Sequence, residues 1–432
     1  MATQFSITDN RPWKRPYFTL WGGQAISQLG SRLVGFALIW YLTVQTGSAS
    51  VLAGATLVTM LPELLLGPVI GTLIDRWNRR RIMLIGDTLV ALVTVLLAVL
   101  FALGVVEIWH IYAILMVRAL GGAFQGNATA ASASLMVPRE ELGRIQGLNQ
   151  MLQGILSVVA APLGALLYET LPLQTILAID VFSALFAIVP LLWIVIPQPE
   201  RKAAVNGQKS TLWSELVDGV RYVRGFTGLL IILVMASLIN FTLNPASSLL
   251  PLLIQGHFGK GALELGYMEA AFGFGIIAGG LLMSVWGGFK RKILTILLGL
   301  IGLGVAFALM GVFPASGYWM VLVAAVFAAL MLPFVNGSLS AVMQSTVAPE
   351  MQGRVFTLVG TISMAMSPLG LAIAGPLSDA LGIQTWYWIG GLVCVSMGVL
   401  GFAIPAVMNL EEDSARAGAA LNGAPAEAAL QD

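Results

Sequence analysis

The sequence predicts an all-α integral membrane protein with twelve transmembrane helices, arranged as two pseudo-symmetric six-helix bundles. Three observations lead there. Hydrophobic residues make up 58% of the 432 and charged residues only 10%, more apolar surface than a water-soluble core can hide, so lipid has to be part of the solvent. Apolar runs of about 20 residues, the length that crosses a hydrocarbon core of roughly 30 Å, recur along the chain. Short likenesses also repeat at half the chain length. Asn127 to Pro138 resembles Asn336 to Pro349, each is followed by Gly-Arg (Gly143-Arg144 and Gly353-Arg354), and Ala161-Pro162-Leu163-Gly164 is echoed by Ser367-Pro368-Leu369-Gly370. Such a period points to two structural repeats rather than an array of short ones.

Taken in order, residues 1–16 form a cytoplasmic tail whose Arg11, Lys14 and Arg15 precede the first apolar stretch. No small-residue cleavage site follows that stretch, so it reads as an uncleaved first helix. Expected spans at 17–44, 51–74, 82–104, 109–136, 145–168 and 172–196 make a first bundle over 17–196. The connection 197–226 is polar and carries Trp213, Leu216, Val217, Val220 and Val223 at helical spacing, with Glu215, Asp218, Arg221 and Arg224 on other faces. It reads as a cytoplasmic linker with an amphipathic helix lying on the inner membrane surface. Spans at 228–254, 262–287, 293–313, 317–345, 355–380 and 384–408 make a second bundle over 227–408. The segment 409–432, rich in Ala, Gly and acidic residues, is expected to be a disordered cytoplasmic tail.

Charge placement gives the topology. Of the 22 Lys and Arg residues, Arg32 and Arg118 fall inside spans, and of the others Lys260 alone lies on the opposite side from the rest. Positive charge stays cytoplasmic, so both termini and the basic loops are expected inside a multi-pass protein of the cell (inner) membrane. A net charge of +1 with no block of like charges gives no nucleic-acid footprint. A single cysteine, Cys394, and two histidines, His110 and His257, exclude a disulfide framework and argue against a metal site. Gly273-Phe274-Gly275-Ile276-Ile277-Ala278 has the spacing of a dinucleotide motif but sits inside a span with no preceding strand, so close helix packing explains it.

Charged groups inside the spans are informative, because each costs roughly 2.5 to 3.5 kcal/mol at the bilayer centre and persists where paired or hydrated. Arg32 and Glu63 lie at matching depth near the midplane of the first two spans, so a pair between them is expected. A carboxylate there is subject to opposing influences from burial and from a neighbouring guanidinium, so a moving helix could switch its proton. Glu63, Arg32 and Asp180 are therefore the proton-coupling candidates. Gln24, Gln28, Asn127, Asn240, Asn244 and Asn336 place amides at membrane depth; with Glu269 and the aromatic Trp40 they are candidates to line a substrate cavity.

The loop after the second span, Gly71-Thr72-Leu73-Ile74-Asp75-Arg76-Trp77-Asn78-Arg79-Arg80-Arg81, resembles the G-x-L-x-D-R-x-x-R-[RK] signature of the major facilitator superfamily. The second half carries an eroded counterpart at Trp286-Gly287-Gly288-Phe289-Lys290-Arg291-Lys292, without the aspartate. The resemblance implies that Gly71, Asp75, Arg76, Arg79 and Arg80, joined by Asp87, form a conformational latch. Arg118 and Gly122 resemble the R-x-x-x-G element of the fourth span, with Arg118 about 13 Å in from the outer surface at 1.5 Å per residue. Pro162 and Gly164 resemble the G-P-x-x-G-G element of drug:proton antiporters, although alanine replaces two of its glycines. Leu61-Pro62-Glu63-Leu64-Leu65-Leu66-Gly67-Pro68, then Gly86-Asp87, is similar to the macrolide-efflux branch.

What the resemblance implies is alternating access with a binding site between the two related halves. The expected activity is proton-driven efflux of an amphipathic or hydrophobic small molecule, such as a macrolide-like drug. Its partners would be that substrate, protons and the lipid bilayer; it would need no cofactor besides the proton gradient and would act as a monomer. The alternatives are an importer or facilitator, or a siderophore exporter, of the same fold. A polytopic membrane enzyme lacks a nucleophile with a nearby base or a metal-ligand cluster in the sequence.

Overall fold

A computed structural model describes residues 13–197, 220, 221, 223, 224 and 227–412. Most of the expected N-terminal tail, nearly all of the linker with its surface helix, and the C-terminal tail beyond residue 412 lie outside the described residues. Among the described residues all regular structure is helical, as it must be where lipid offers backbone N–H and C=O groups no partner. Twelve helices matter: α1 (Lys14–Thr46), α2 (Ala49–Arg76), α3 (Arg79–Leu103), α4 (Ile108–Met136), α5 (Leu142–Thr170), α6 (Leu173–Trp193), α7 (Thr227–Ser248), α8 (Ala262–Trp286), α9 (Lys292–Val312), α10 (Tyr318–Thr346), α11 (Pro349–Leu381) and α12 (Ile383–Ala403).

Eleven of the twelve are long and apolar enough to cross a membrane; α4 is the exception. It has the length, 29 residues or roughly 44 Å, but carries Arg118, Gln125 and Asn127 among small residues. It packs along α3, and a helix turned toward protein tolerates polar groups that a lipid-facing one cannot. Large apolar side chains stand open along the helices, with Val285 88% and Trp193 74% exposed, as a lipid-bathed surface requires.

Local chemistry sets the helix ends. Asn78 caps α3 by accepting from the Arg81 N–H at 3.2 Å, and Gly104 ends it in the left-handed region at φ +70°. Two spans stop earlier than the apolar pattern suggests. α7 ends at Ser248, and a short turn Leu250–Leu252 with a π-type turn Leu253–His257 follows, because Pro251 has no N–H to continue the ladder. α12 likewise ends at Ala403, before Pro405 opens a separate turn.

The chain resolves into two compact units. The first comprises Met1–Gly35, Leu65–Leu156 and Thr170–Lys202; the second comprises Phe36–Leu64, Ser157–Glu169 and Ala203–Asp432. The division runs through α1, α2 and α5, so one end of each belongs with the second unit. In the first unit Leu20, Ile70, Ile74, Met83, Ala128 and Leu191 form a packed core. In the second, glycines bring backbones together. A Cβ on Gly391 of α12 would lie 2.6 Å from the Gly304 carbonyl oxygen and the Ala308 nitrogen of α9. Gly273 and Gly275, the pair with dinucleotide-like spacing, lie against α5 and α10 respectively, which is helix packing as expected. Gly391→Ala is therefore expected to overpack the α9–α12 crossing, costing about 1–3 kcal/mol. Gly280→Ala, whose Cβ meets nothing within 4 Å, should be neutral or mildly stabilising. Thermal unfolding in detergent checks both.

Candidate functional site

The first unit holds a buried ion pair. Arg118 on α4 donates from Nη1 to the Asp180 Oδ2 of α6 at 2.6 Å, with side-chain exposures of 9% and 3%. The same guanidinium nitrogen donates to the Thr94 hydroxyl of α3. Ser31 of α1 donates to the other carboxylate oxygen at 3.1 Å, so four helices converge on one acid. Gly30 makes this possible, since a Cβ there would meet the Ser183 side chain and Asp180 Oδ1. Sequence reasoning singled out Arg118 and Asp180 separately and missed that they pair.

Beside it runs a ladder of amides. Gln24 donates to Asp87 Oδ2 at 3.0 Å and accepts from Gln125. Arg32 donates to Gln153 Oε1 at 2.6 Å, and Gln153 donates to Gln28 Oε1 at 2.9 Å. Trp21 donates to Asn149 Oδ1 at 2.8 Å. Of these side chains Trp21, Gln24, Gln28, Gln125, Asn149 and Gln153 border a cavity of about 430 Å³ in the first unit, which Gly122 also lines. Its wall is thus made of neutral donors and acceptors next to aromatic rings.

The second unit has its own cavity, about 440 Å³, with a different lining. Asn240, Asn244 and Asn336 are set among apolar residues such as Phe272, Leu300 and Phe307. Asn244 donates to Asn240 Oδ1 at 2.8 Å, and Asn240 to the Ala236 carbonyl at 2.9 Å.

Other expected residues lie elsewhere. Trp40 is buried at 4% exposure and borders neither of these two cavities. Asn127 turns back to the Ala123 carbonyl of its own helix at 2.8 Å. Glu269 is exposed on α8, and Glu63 is exposed on α2. Arg32 donates one of its hydrogen bonds to Gln153 within the first unit.

In the latch segment, Arg79 donates to the Ala131 carbonyl of α4 at 2.8 Å, and Arg80 donates to the Leu191 carbonyl of α6 at 2.5 Å and to that of Leu192. Both satisfy carbonyls near helix C-termini, where positive charge is favoured. Asp87 does not join these arginines; it is buried against Gln24, about two turns into α3 from the loop. The Asp75 side chain lies outside the described residues. Arg76 is exposed at the end of α2, and among the described residues Gly71 makes no close helix approach, with nothing outside its own helix within 4 Å of where a Cβ would sit. The α5 element does make one. Gly164 meets Phe36 of α1, and Pro162 with Ala161 receives Gly266 of α8 at 3.0–3.1 Å from its would-be Cβ.

A multi-helix membrane fold with polar groups buried among its helices and amide-bearing cavities is that of a small-molecule transporter. The family model described as Major Facilitator Superfamily matches residues 20–288 and 229–426, and the chain belongs to that superfamily. Macrolide efflux protein A of Streptococcus pyogenes is 32% identical over 387 residues, 89% of this chain and 95% of that one. Multidrug efflux pump Tap of Mycolicibacterium fortuitum is 27% identical, covering 88% and 94% respectively. The fold matches solved structures of a mutant of the nucleoside transporter NupG (TM-score 0.70, 14% identity, 90% of this chain and 99% of that one). It also matches a bacterial homolog of the human lysosomal transporter Spinster, inward-facing and unoccupied (TM-score 0.66, 16% identity, 93% and 97%).

Proposed function

We infer that the protein exports an amphipathic or hydrophobic small molecule of the macrolide kind, driven by the proton gradient, through alternating access of two six-helix bundles (17–196 and 227–408) joined by the 197–226 linker. Both termini face the cytoplasm at the cell (inner) membrane, and the working unit is a monomer. The observation that carries the reading is likeness to macrolide efflux protein A along 89% of the chain. The two linings support the substrate class. Neutral amides with aromatic rings border one cavity, and apolar side chains with three asparagines border the other. Neither supplies the fixed charge that a phosphate or carboxylate substrate would call for, and both suit a large ring carrying hydroxyl and carbonyl groups.

The intramembrane acids divide by surroundings. Asp180, bound by Arg118, Thr94 and Ser31, braces the helices. Glu63, exposed on α2, carries the proton, with Arg32 at matching depth on α1 as its expected switching partner. The latch of Gly71, Asp75, Arg76, Arg79 and Arg80 controls the cytoplasmic side. The test is flux in inside-out vesicles: acidifying the lumen should drive accumulation of radiolabelled erythromycin, and a protonophore should abolish it. Accumulation only in right-side-out vesicles would instead indicate an importer.

A further inference from the structure

Two carboxylates outside the sites above hold helix starts within the second unit. Asp379, near the end of α11, accepts from the backbone N–H of Ala49 at 2.6 Å and of Ser50 at 3.0 Å, and from the Ser48 hydroxyl at 3.0 Å. It therefore caps the first turn of α2 from about 330 residues away. Glu169, at the end of α5, accepts from the Leu263 N–H in the first turn of α8 at 3.4 Å, beside Gly261, whose N–H bonds Glu264 Oε2 at 3.0 Å. α2 and α8 are the second helices of their halves, and α5 and α11 are the fifth. The same contact thus occurs twice with the halves exchanged: the fifth helix of one half lays an acid on the free N–H groups of the second helix of the other.

Each cap lies about one turn from a tight glycine crossing of the same two helices. A Cβ on Gly375 of α11 would sit 2.9 Å from the Ser50 Cα, and one on Gly266 of α8 would sit 3.0 Å from the Pro162 Cα. On α11 the seam continues inward to Ser367, fully buried, whose hydroxyl lies 3.9 Å from the Met60 sulfur of α2. A helix start offers unsatisfied N–H groups and a positive dipole end, so an acid there makes charge-assisted bonds that withdrawal of either helix breaks together.

We propose that Asp379 and Glu169 are paired positioning residues that hold the membrane face opposite the termini closed, and that their release from α2 and α8 is the opening step at that face. Asp379, with three donors, is the stronger of the two. The inference rests on the alternating-access reading. The test uses the full chain with Cys394→Ala and a single reporter, Ser367→Cys, labelled by a membrane-impermeant maleimide from the outer face of right-side-out vesicles. Losing one cap should speed labelling by about fivefold. Asp379→Ala should show this, Asp379→Asn, which keeps an acceptor but no charge, should fall between, and adding Glu169→Ala should exceed either single variant. Labelling from the cytoplasmic face, in inside-out vesicles, should not rise; a rise at both faces would mark general loosening and overturn the proposal. Equal labelling of variants and parent, in a protein whose reporter still responds to erythromycin, would overturn it and leave alternating access standing. A reporter unmoved by erythromycin and by every variant would remove alternating access, and the proposal with it.

Discussion

Asp180→Asn should lower the stability of the folded protein by about 3–5 kcal/mol, because it leaves the Arg118 guanidinium buried without its counter-charge. Arg118→Leu should cost a similar amount by orphaning the carboxylate. The acid is 2% exposed and bonded by Arg118, Thr94 and Ser31, so water cannot repair either loss. Removing both charges is a different experiment. Arg118→Leu with Asp180→Leu replaces a desolvated pair by packing, and such exchanges are often neutral or better. The double variant should therefore regain most of the thermal stability that each single one loses, measured by unfolding in detergent. Because the pair is read as a brace, gradient-driven accumulation should return with stability. A stable double variant that binds substrate but cannot accumulate it would return Asp180 to the proton path.

Arg118 and Asp180 also show what the sequence can and cannot reveal. Their depths were legible: each lies eight to ten residues from the same end of its span, as does Thr94. Depth alone does not choose partners: Gln24 and Gln125 bond one another, and Gln153 bonds both Arg32 and Gln28, none of which the spacing of polar residues along the chain announces. Which helices adjoin is a property of packing, and in a bilayer packing is set by small residues and local fit rather than by hydrophobic pattern. The helices themselves were readable because crossing lipid demands long apolar runs with internally satisfied backbones. The ends misread at α7 and α12 are those where Pro251 and Pro405 interrupt an apolar run that continues in composition. Asp379 and Glu169 were missed because each stands at a span edge, where a carboxylate is ordinary. Their meaning lies in the N–H groups they meet on helices far away in sequence.

Glu63→Gln should abolish proton-driven accumulation while leaving substrate equilibration across the membrane intact. Glutamine keeps the size and a hydrogen-bonding end of the glutamate but cannot take up or release the coupled proton. One proton moving down roughly 100 mV supplies about 2.3 kcal/mol, enough to sustain a substrate ratio of about 45 at 1.4 kcal/mol per decade. Without that proton the ratio in inside-out vesicles should fall toward about 1, whereas exchange of labelled for unlabelled erythromycin at equal concentrations should persist. Glu63 suits this role because its carboxylate is not enclosed by protein, whereas Asp180 is enclosed by its donors. The conservative variant Glu63→Asp retains the titrating group and should keep accumulation in part. If Glu63→Gln accumulates erythromycin as the parent does, the coupling acid is another residue, and Asp87, buried against Gln24 at the edge of the amide-lined cavity, is the next to substitute.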